Sequence, residues 1–242
     1  MQNCDPVTGL CELPDTAADP AAPATAVHST LHYIGDPMCS WCWGLAPTLQ
    51  ALAERCARDG LGFQITVGGL RAGGGEAWNA RLKDFLRQEW THIAQVTGQP
   101  FSFALLEREH FDYDTEPACR AVVAAETLLT GHDPGNLRLL AFFARLQHAF
   151  YADGHDPAAL DTYPALCAAS GLDFAAFSAE FLSEHARQRT REHFQRCRQW
   201  GVRGFPSLVL EHHGELYQLS AGYADRATLF ARLDATLARP VG

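Results

Sequence analysis

The chain has 242 residues, 47% of them hydrophobic, and a formal charge of −9 at pH 7 from 19 Lys and Arg against 28 Asp and Glu. That length supports one sizeable core, or a main domain with a helical subdomain folded against it. The acidic balance, with its cations scattered along the chain, argues against nucleic acid or an anionic membrane surface as principal partner. No apolar run nears the roughly 18 residues of a membrane span, and no basic start followed by a short apolar run marks a secretory signal. The expected location is therefore the cytoplasm.

Eight cysteines, at 4, 11, 39, 42, 56, 119, 167 and 197, fall short of the density of a stapled secreted scaffold. They divide into two close pairs and four singles. In a reducing compartment close pairs point to redox exchange or metal, and singles to small buried apolar residues.

In chain order, residues 12–27 are rich in Pro, Ala and Asp without an apolar period and read as a flexible linker behind an arm carrying Cys4 and Cys11. Leu31 to Ile34 reads as a strand, and Asp36-Pro37 breaks the chain before a helix beginning near Cys39. Cys42, Leu45, Leu49, Leu52 and Cys56 make one apolar stripe along that helix, which Pro47 is expected to kink. Phe63, Ile65 and Val67 alternate with Gln64 and Thr66, the pattern of a half-buried strand, and a Gly-rich turn from Gly68 to Gly75 follows.

From about Trp78 to Leu182 the period is almost wholly helical, with stripes at Ala118, Val122, Ala125, Leu129 and at Leu139, Phe143, Leu146, Phe150. A stretch so long is not a loop. A further helix ends near Trp200; then come a Pro-initiated strand, a His213-Gly214 turn, a second strand, and a closing helix with Asp225 as N-cap and Leu229, Leu233, Leu237 as its stripe. This order is an interrupted α/β domain. It divides the chain into a flexible arm (1–27), a main domain (28–75 and 184–242) and an inserted helical subdomain (76–183).

Cys39 and Cys42, two residues apart on a helical first turn, are close enough to close and reopen a disulfide. A helix N-terminus supplies partial positive charge and unpaired N–H groups that favour a thiolate, and Cys39 sits where that effect is strongest. Cys42 belongs to the buried stripe. The expected roles are an exposed Cys39 as nucleophile and Cys42 as the thiol that resolves the mixed disulfide. Structural zinc uses the same spacing but wants a second ligand pair, and apart from Cys4/Cys11 the other cysteines are isolated, so no metal is expected.

The segment YIGDPMCSWCW resembles the active-site turn of the thioredoxin superfamily, and GVRGFPSLVL followed by HHGEL resembles its cis-proline segment and the hairpin after it. With a helical insert between them, and with FDYDTEPACRAVVAA, the chain is similar to the DsbA-like branch, among bacterial members regarded as protein-disulfide isomerases. The resemblance spans roughly residues 30–238 and implies a thioredoxin-like fold with a large inserted helical subdomain. It also implies that Pro206 is a cis-proline beside the cysteine pair and that Phe205 pairs its backbone with an extended substrate. Arg203 and Gly204 would lie in the same substrate-binding loop, with Trp41 at the rim. Ser40 and Trp41 stand where strongly oxidising members carry Pro-His, so a reductase or isomerase is favoured over an oxidase.

The implied enzyme is a protein-disulfide oxidoreductase or isomerase. It needs no cofactor beyond the redox-active disulfide, has glutathione as a candidate co-substrate, and takes protein or small-molecule thiols and disulfides as partners. Two other readings stand beside it. One is a DsbA-like adaptor or chaperone with redox-sensing cysteines; the other is a glutathione-dependent isomerase or transferase, whose relatives carry Ser at the nucleophile. Cys4 and Cys11 read either as a tethered auxiliary redox pair or as incidental thiols of a tail. Cys56, Cys119, Cys167 and Cys197 read as core. His28 and His32 flank a strand start and do not converge as ligands. Asp112, Asp114 and Glu116 alternate like a cation site but are read as a helix start at Thr115-Glu116-Pro117.

Overall fold

A computed structural model describes residues 11–12, 29–131 and 133–239. Strand β1 (Cys11–Glu12) is two residues long. Strand β2 (Thr30–Gly35) is buried along nearly its whole length, because it is an interior strand with a neighbour on each side. It lies parallel to β3 (Gly62–Val67) and antiparallel to β4 (Ser207–His212), with Ile34 opposite Thr66 on one side and Ser207 on the other. Strand β5 (Glu215–Ala221) forms a hairpin with β4. Its turn residues His213 (φ 55°) and Gly214 (φ 80°) are both left-handed, the primed turn that matches strand twist. β1 adds antiparallel to β5 with Cys11 opposite Gln218, giving the order β1-β5-β4-β2-β3.

The parallel pair β2/β3 requires a crossover, which α1 (Ser40–Asp59) supplies. All five stripe residues from Cys42 to Cys56 are buried. α1 remains one helix through Pro47, which lies on its exposed side. Between β3 and Leu182 come α2 (Ala80–Thr97), α3 (Glu116–Leu128), α4 (Leu137–Tyr151), α5 (Tyr163–Ser170) and α6 (Phe174–Leu182), with no strand among the described residues. α7 (Glu184–Gln199) leads back to the sheet and α8 (Arg226–Leu237) closes the chain. Asn79, Asp173, Ser183 and Asp225 each accept a first-turn N–H with the side chain, as N-caps do.

The alternation expected in β3 ends at Thr66, which is buried. The cause is α7, which covers the end of that strand: Val67 N–H donates to His193 Nδ1 (3.3 Å) and the Cys197 thiol donates to the Val67 carbonyl (3.6 Å). A single apolar cluster joins the sheet to the inserted helices. Within it the Tyr33 and Phe143 rings meet edge to face at 5.6 Å. No described helix is long and apolar enough to cross a membrane.

Candidate active site

Cys39 is the N-cap of α1, with extended backbone (φ −90°, ψ 116°). Its N–H donates to the Asp36 carbonyl (3.0 Å) and its own carbonyl accepts from Trp43 N–H (3.1 Å). The thiol therefore stands at the positive end of a 20-residue helix with no acidic residue in the first turn. Cys42 is wholly buried. Burial pushes its thiol well above the ordinary range and the Cys39 sulfur adds to the rise; the Asp36 backbone and the Tyr33 hydroxyl oppose it. Both cysteines are free thiols.

The expectation of an exposed Cys39 needs correction: it is only 5% exposed. The reason is the loop before β4. The Cys39 thiol donates to the Phe205 carbonyl (3.5 Å), and the Phe205-Pro206 bond is cis, as the resemblance implies. Gly204 fixes the same loop by accepting from the Ser207 hydroxyl (2.9 Å). The Phe205 ring packs on Gly68, where a Cβ would fall 2.2 Å from it. Arg203 is exposed, with no ion pair among the described residues.

The tryptophans on either side of Cys42 differ in their surroundings. Trp43 is buried and donates its indole N–H to the Pro100 carbonyl (3.0 Å). Trp41 is half-buried, against His92 (5.8 Å) and Tyr223 (5.1 Å) between ring centroids.

Sequence reasoning missed Asp36 except as a chain break. Its carboxylate is fully buried and accepts from Met38 N–H (2.8 Å), Leu70 N–H (2.6 Å) and the Cys119 thiol (3.5 Å). Burial raises its pKa and those donors act against the rise. It thus ties the turn before Cys39 to the Gly68–Gly75 loop and to α3. Tyr113 braces the same turn by donating to the Met38 carbonyl (3.0 Å). The Tyr33 hydroxyl lies against the Cys42 thiol, has no hydrogen bond of full geometry, and is fully buried. An acid directly before Pro-Met-Cys was the available signal, but alone it cannot be told from a turn residue.

Cys56, Cys119, Cys167 and Cys197 are all buried. Cys4 and His28 lie outside the described residues, and Cys11 enters only through its pairing in β1. Asp112 and Asp114 hold the glycine loop, accepting from Gly75 N–H (3.1 Å) and Gly73 N–H (2.8 Å); Asp114 also accepts from Glu116 N–H (2.8 Å) at the start of α3. Among the described residues no group of three or more His, Cys, Asp or Glu could hold a metal.

No family model matches the chain. A solved structure from Nitrosomonas europaea, described as a candidate protein disulfide isomerase, is 36% identical, with a TM-score of 0.76 over 87% of this chain and 98% of that one. The cytosolic disulfide reductase DsbM of Pseudomonas aeruginosa, solved also with GSH, is 30% identical, with a TM-score of 0.68 over 86% and 98%. The ClpXP adapter protein SpxH of Shouchella clausii is 26% identical across 86% of this chain, which spans 65% of that protein's length. With two solved relatives at 30% identity or more, matched over almost their whole length, the chain belongs to the DsbA-like oxidoreductases of the thioredoxin superfamily.

Proposed function

We propose that the chain is a cytosolic thiol-disulfide reductase or isomerase in which Cys39 attacks and Cys42 resolves. The observation that carries this reading is the Cys39 thiol at the start of α1, 3.5 Å from the Phe205 carbonyl, with Cys42 buried one turn on. The Cys39 thiolate attacks one sulfur of a substrate disulfide; the substrate S–S bond breaks, one thiolate leaves and takes a proton, and a mixed disulfide forms. Cys42 then gives up its proton and attacks the Cys39 sulfur. The Cys39–Cys42 disulfide closes, the second substrate thiol departs, and two electrons have passed to the substrate.

Phe205 and the cis-Pro206 loop offer backbone beside the nucleophile for an extended substrate, and Trp41 an apolar rim. A thiol such as glutathione would return the electrons, in keeping with DsbM having been solved with GSH. Ser40 and Trp41 bring no charge to stabilise the reduced pair, which favours donation of electrons over oxidation.

The test is insulin reduction and scrambled-substrate repair with glutathione as reductant. Wild type should turn over, Cys39→Ser should fall to background, and Cys42→Ser should accumulate a Cys39-substrate disulfide visible by mass spectrometry. Full turnover by Cys39→Ser would sink the proposal. The SpxH match favours one alternative, a peptide-binding adaptor. Peptide binding without exchange in the wild type would establish it.

A further inference from the structure

The second step of exchange asks most of the protein. Cys42 attacks only as a thiolate, yet it is wholly buried, and burial disfavours the charged form. The carboxylate of Asp36, three residues before Cys39, is engaged elsewhere. Its Oδ1 accepts from Met38 N–H, and its Oδ2 accepts from Leu70 N–H and from the Cys119 thiol.

Tyr33 on β2 is placed differently. Its ring is fully buried, edge to face with Phe143. Gly35 lies two residues along, on the same face of the strand, and makes room for the end of the phenol: a Cβ there would fall 2.1 Å from the Tyr33 hydroxyl oxygen. The phenol therefore ends beside the turn that opens at Asp36, with its hydroxyl against the Cys42 sulfur. That hydroxyl has no hydrogen-bond partner of full geometry among the described residues. Burying it so is costly, and Phe would fill the same space without the cost. A neutral thiol is a weak acceptor and a thiolate a strong one, so the missing partner is one that forms when Cys42 ionises.

We propose that the Tyr33 hydroxyl donates to the Cys42 sulfur as that thiol ionises to resolve the mixed disulfide, which makes Tyr33 a catalytic residue of the second step alone. The inference rests on the exchange reading above and adds a donor to it. Cys42 gives up its proton, which balances the one taken by the departing substrate thiolate; its electron pair forms the Cys39–Cys42 bond, and the Cys39–substrate bond breaks. Tyr33 keeps its own proton throughout, because burial holds the phenol well above its ordinary range and the Cys42 sulfur adds to the rise. It is a donor and not a base.

The experiment is a stopped-flow reaction of the reduced full chain, carrying Cys4→Ser and Cys11→Ser so that the site pair reports, with excess dithiobis(nitrobenzoate). Attack by Cys39 releases one equivalent of the coloured thiolate at a rate proportional to reagent. Resolution by Cys42 releases a second at a rate independent of it. Tyr33→Phe should leave the first phase unchanged and slow the second about three- to tenfold at pH 7. A hydrogen bond to a charged atom is worth on the order of ten- to a hundredfold in an equilibrium, and the more basic thiolate left without it is the better nucleophile, which takes back about half of that on a logarithmic scale. The melting temperature should be no lower than that of the wild type, since the hydroxyl gives up no bond in the dithiol state.

A second phase at the wild-type rate in Tyr33→Phe overturns the proposal. So does a slowing of both phases alike with a lower melting temperature, which would assign the hydroxyl to holding the strand. Cys42→Ser separates these failures from that of the exchange reading. Arrest after one equivalent upholds Cys42 as the resolving thiol whatever Tyr33→Phe does, whereas release of both equivalents at the wild-type rate removes the resolving step and the role of Tyr33 with it.

Discussion

Asp36 concentrates what single residues do here. Its two oxygens accept from two backbone N–H groups, Met38 to Oδ1 and Leu70 to Oδ2, and Oδ2 also takes the Cys119 thiol. Asn is nearly isosteric, yet whichever way its amide lies, an NH2 meets one of those backbone donors and leaves it unpaired. Asp36→Asn should therefore cost about 1–3 kcal/mol, about 2–4 °C in Tm per kcal/mol at this chain length. It should also slow disulfide exchange, because the turn before Cys39 loses an anchor. Thermal unfolding and insulin turnover of the variant measure the two effects, and an unchanged Tm would deny Asp36 this role.

The partners of Asp36 explain why it was not legible in sequence: Leu70 is 34 residues away and Cys119 83. Cys42 was legible, since its burial follows from a period within one helix. The burial of Cys39 was not, for its cover comes from Phe205, 166 residues on. A buried Cys42 whose thiol is pushed up has a kinetic consequence. Resolution requires its thiolate, so release of the Cys39 mixed disulfide should speed up steadily as pH rises toward and past the ordinary thiol range near 8.5. Quenched-flow decay of a preformed mixed disulfide reads this directly, and a rate flat in pH would contradict it.

At the scale of elements, α7 shows where periodicity helps and where it fails. Its buried face is Ala186, Thr190, His193 and Cys197. The spacing is helical, but small and polar residues carry no apolar stripe, so the helix could be read while its cover of β3 could not. The hairpin and α8 were legible because turn and cap chemistry are local: His213-Gly214 and Asp225 act within a few residues.

The joint between α7 and β3 depends on a neutral His193, whose Nδ1 accepts from Val67 N–H. Burial first, then the charges of Arg196 and Arg189, lower its pKa from 6.5 to about 4. As pH falls through 6.5 the unfolded chain takes up the proton while the folded chain does not, so stability drops with acidity across the window from 6.5 to about 4. The full contribution is on the order of 3 kcal/mol. His193→Gln keeps an acceptor for Val67 and removes the titration, so its stability should fall by about that much less across the window. Urea unfolding at both ends tests this, and equal losses in the two proteins would place the acid sensitivity elsewhere.

For the whole molecule, the question is whether residues 76–183 melt as a unit of their own. The sequence division into a main domain and an insert allows two transitions. Packing favours one, because the apolar cluster runs without a break from β2 and α1 into α2, α3 and α4. Phe143 on α4 is 1% exposed and meets Tyr33 of β2 edge to face, so it lies across that division. Phe143→Ala opens a cavity there at a cost of about 3–5 kcal/mol. If the core is shared, tryptophan fluorescence and far-ultraviolet circular dichroism should shift together in urea by the same free energy. If the insert is autonomous, the two probes should separate in the variant, with the helices surviving the sheet. Coincident transitions would mean that the scaffold holding Cys39 beside Phe205 draws its rigidity from the inserted helices as much as from the sheet.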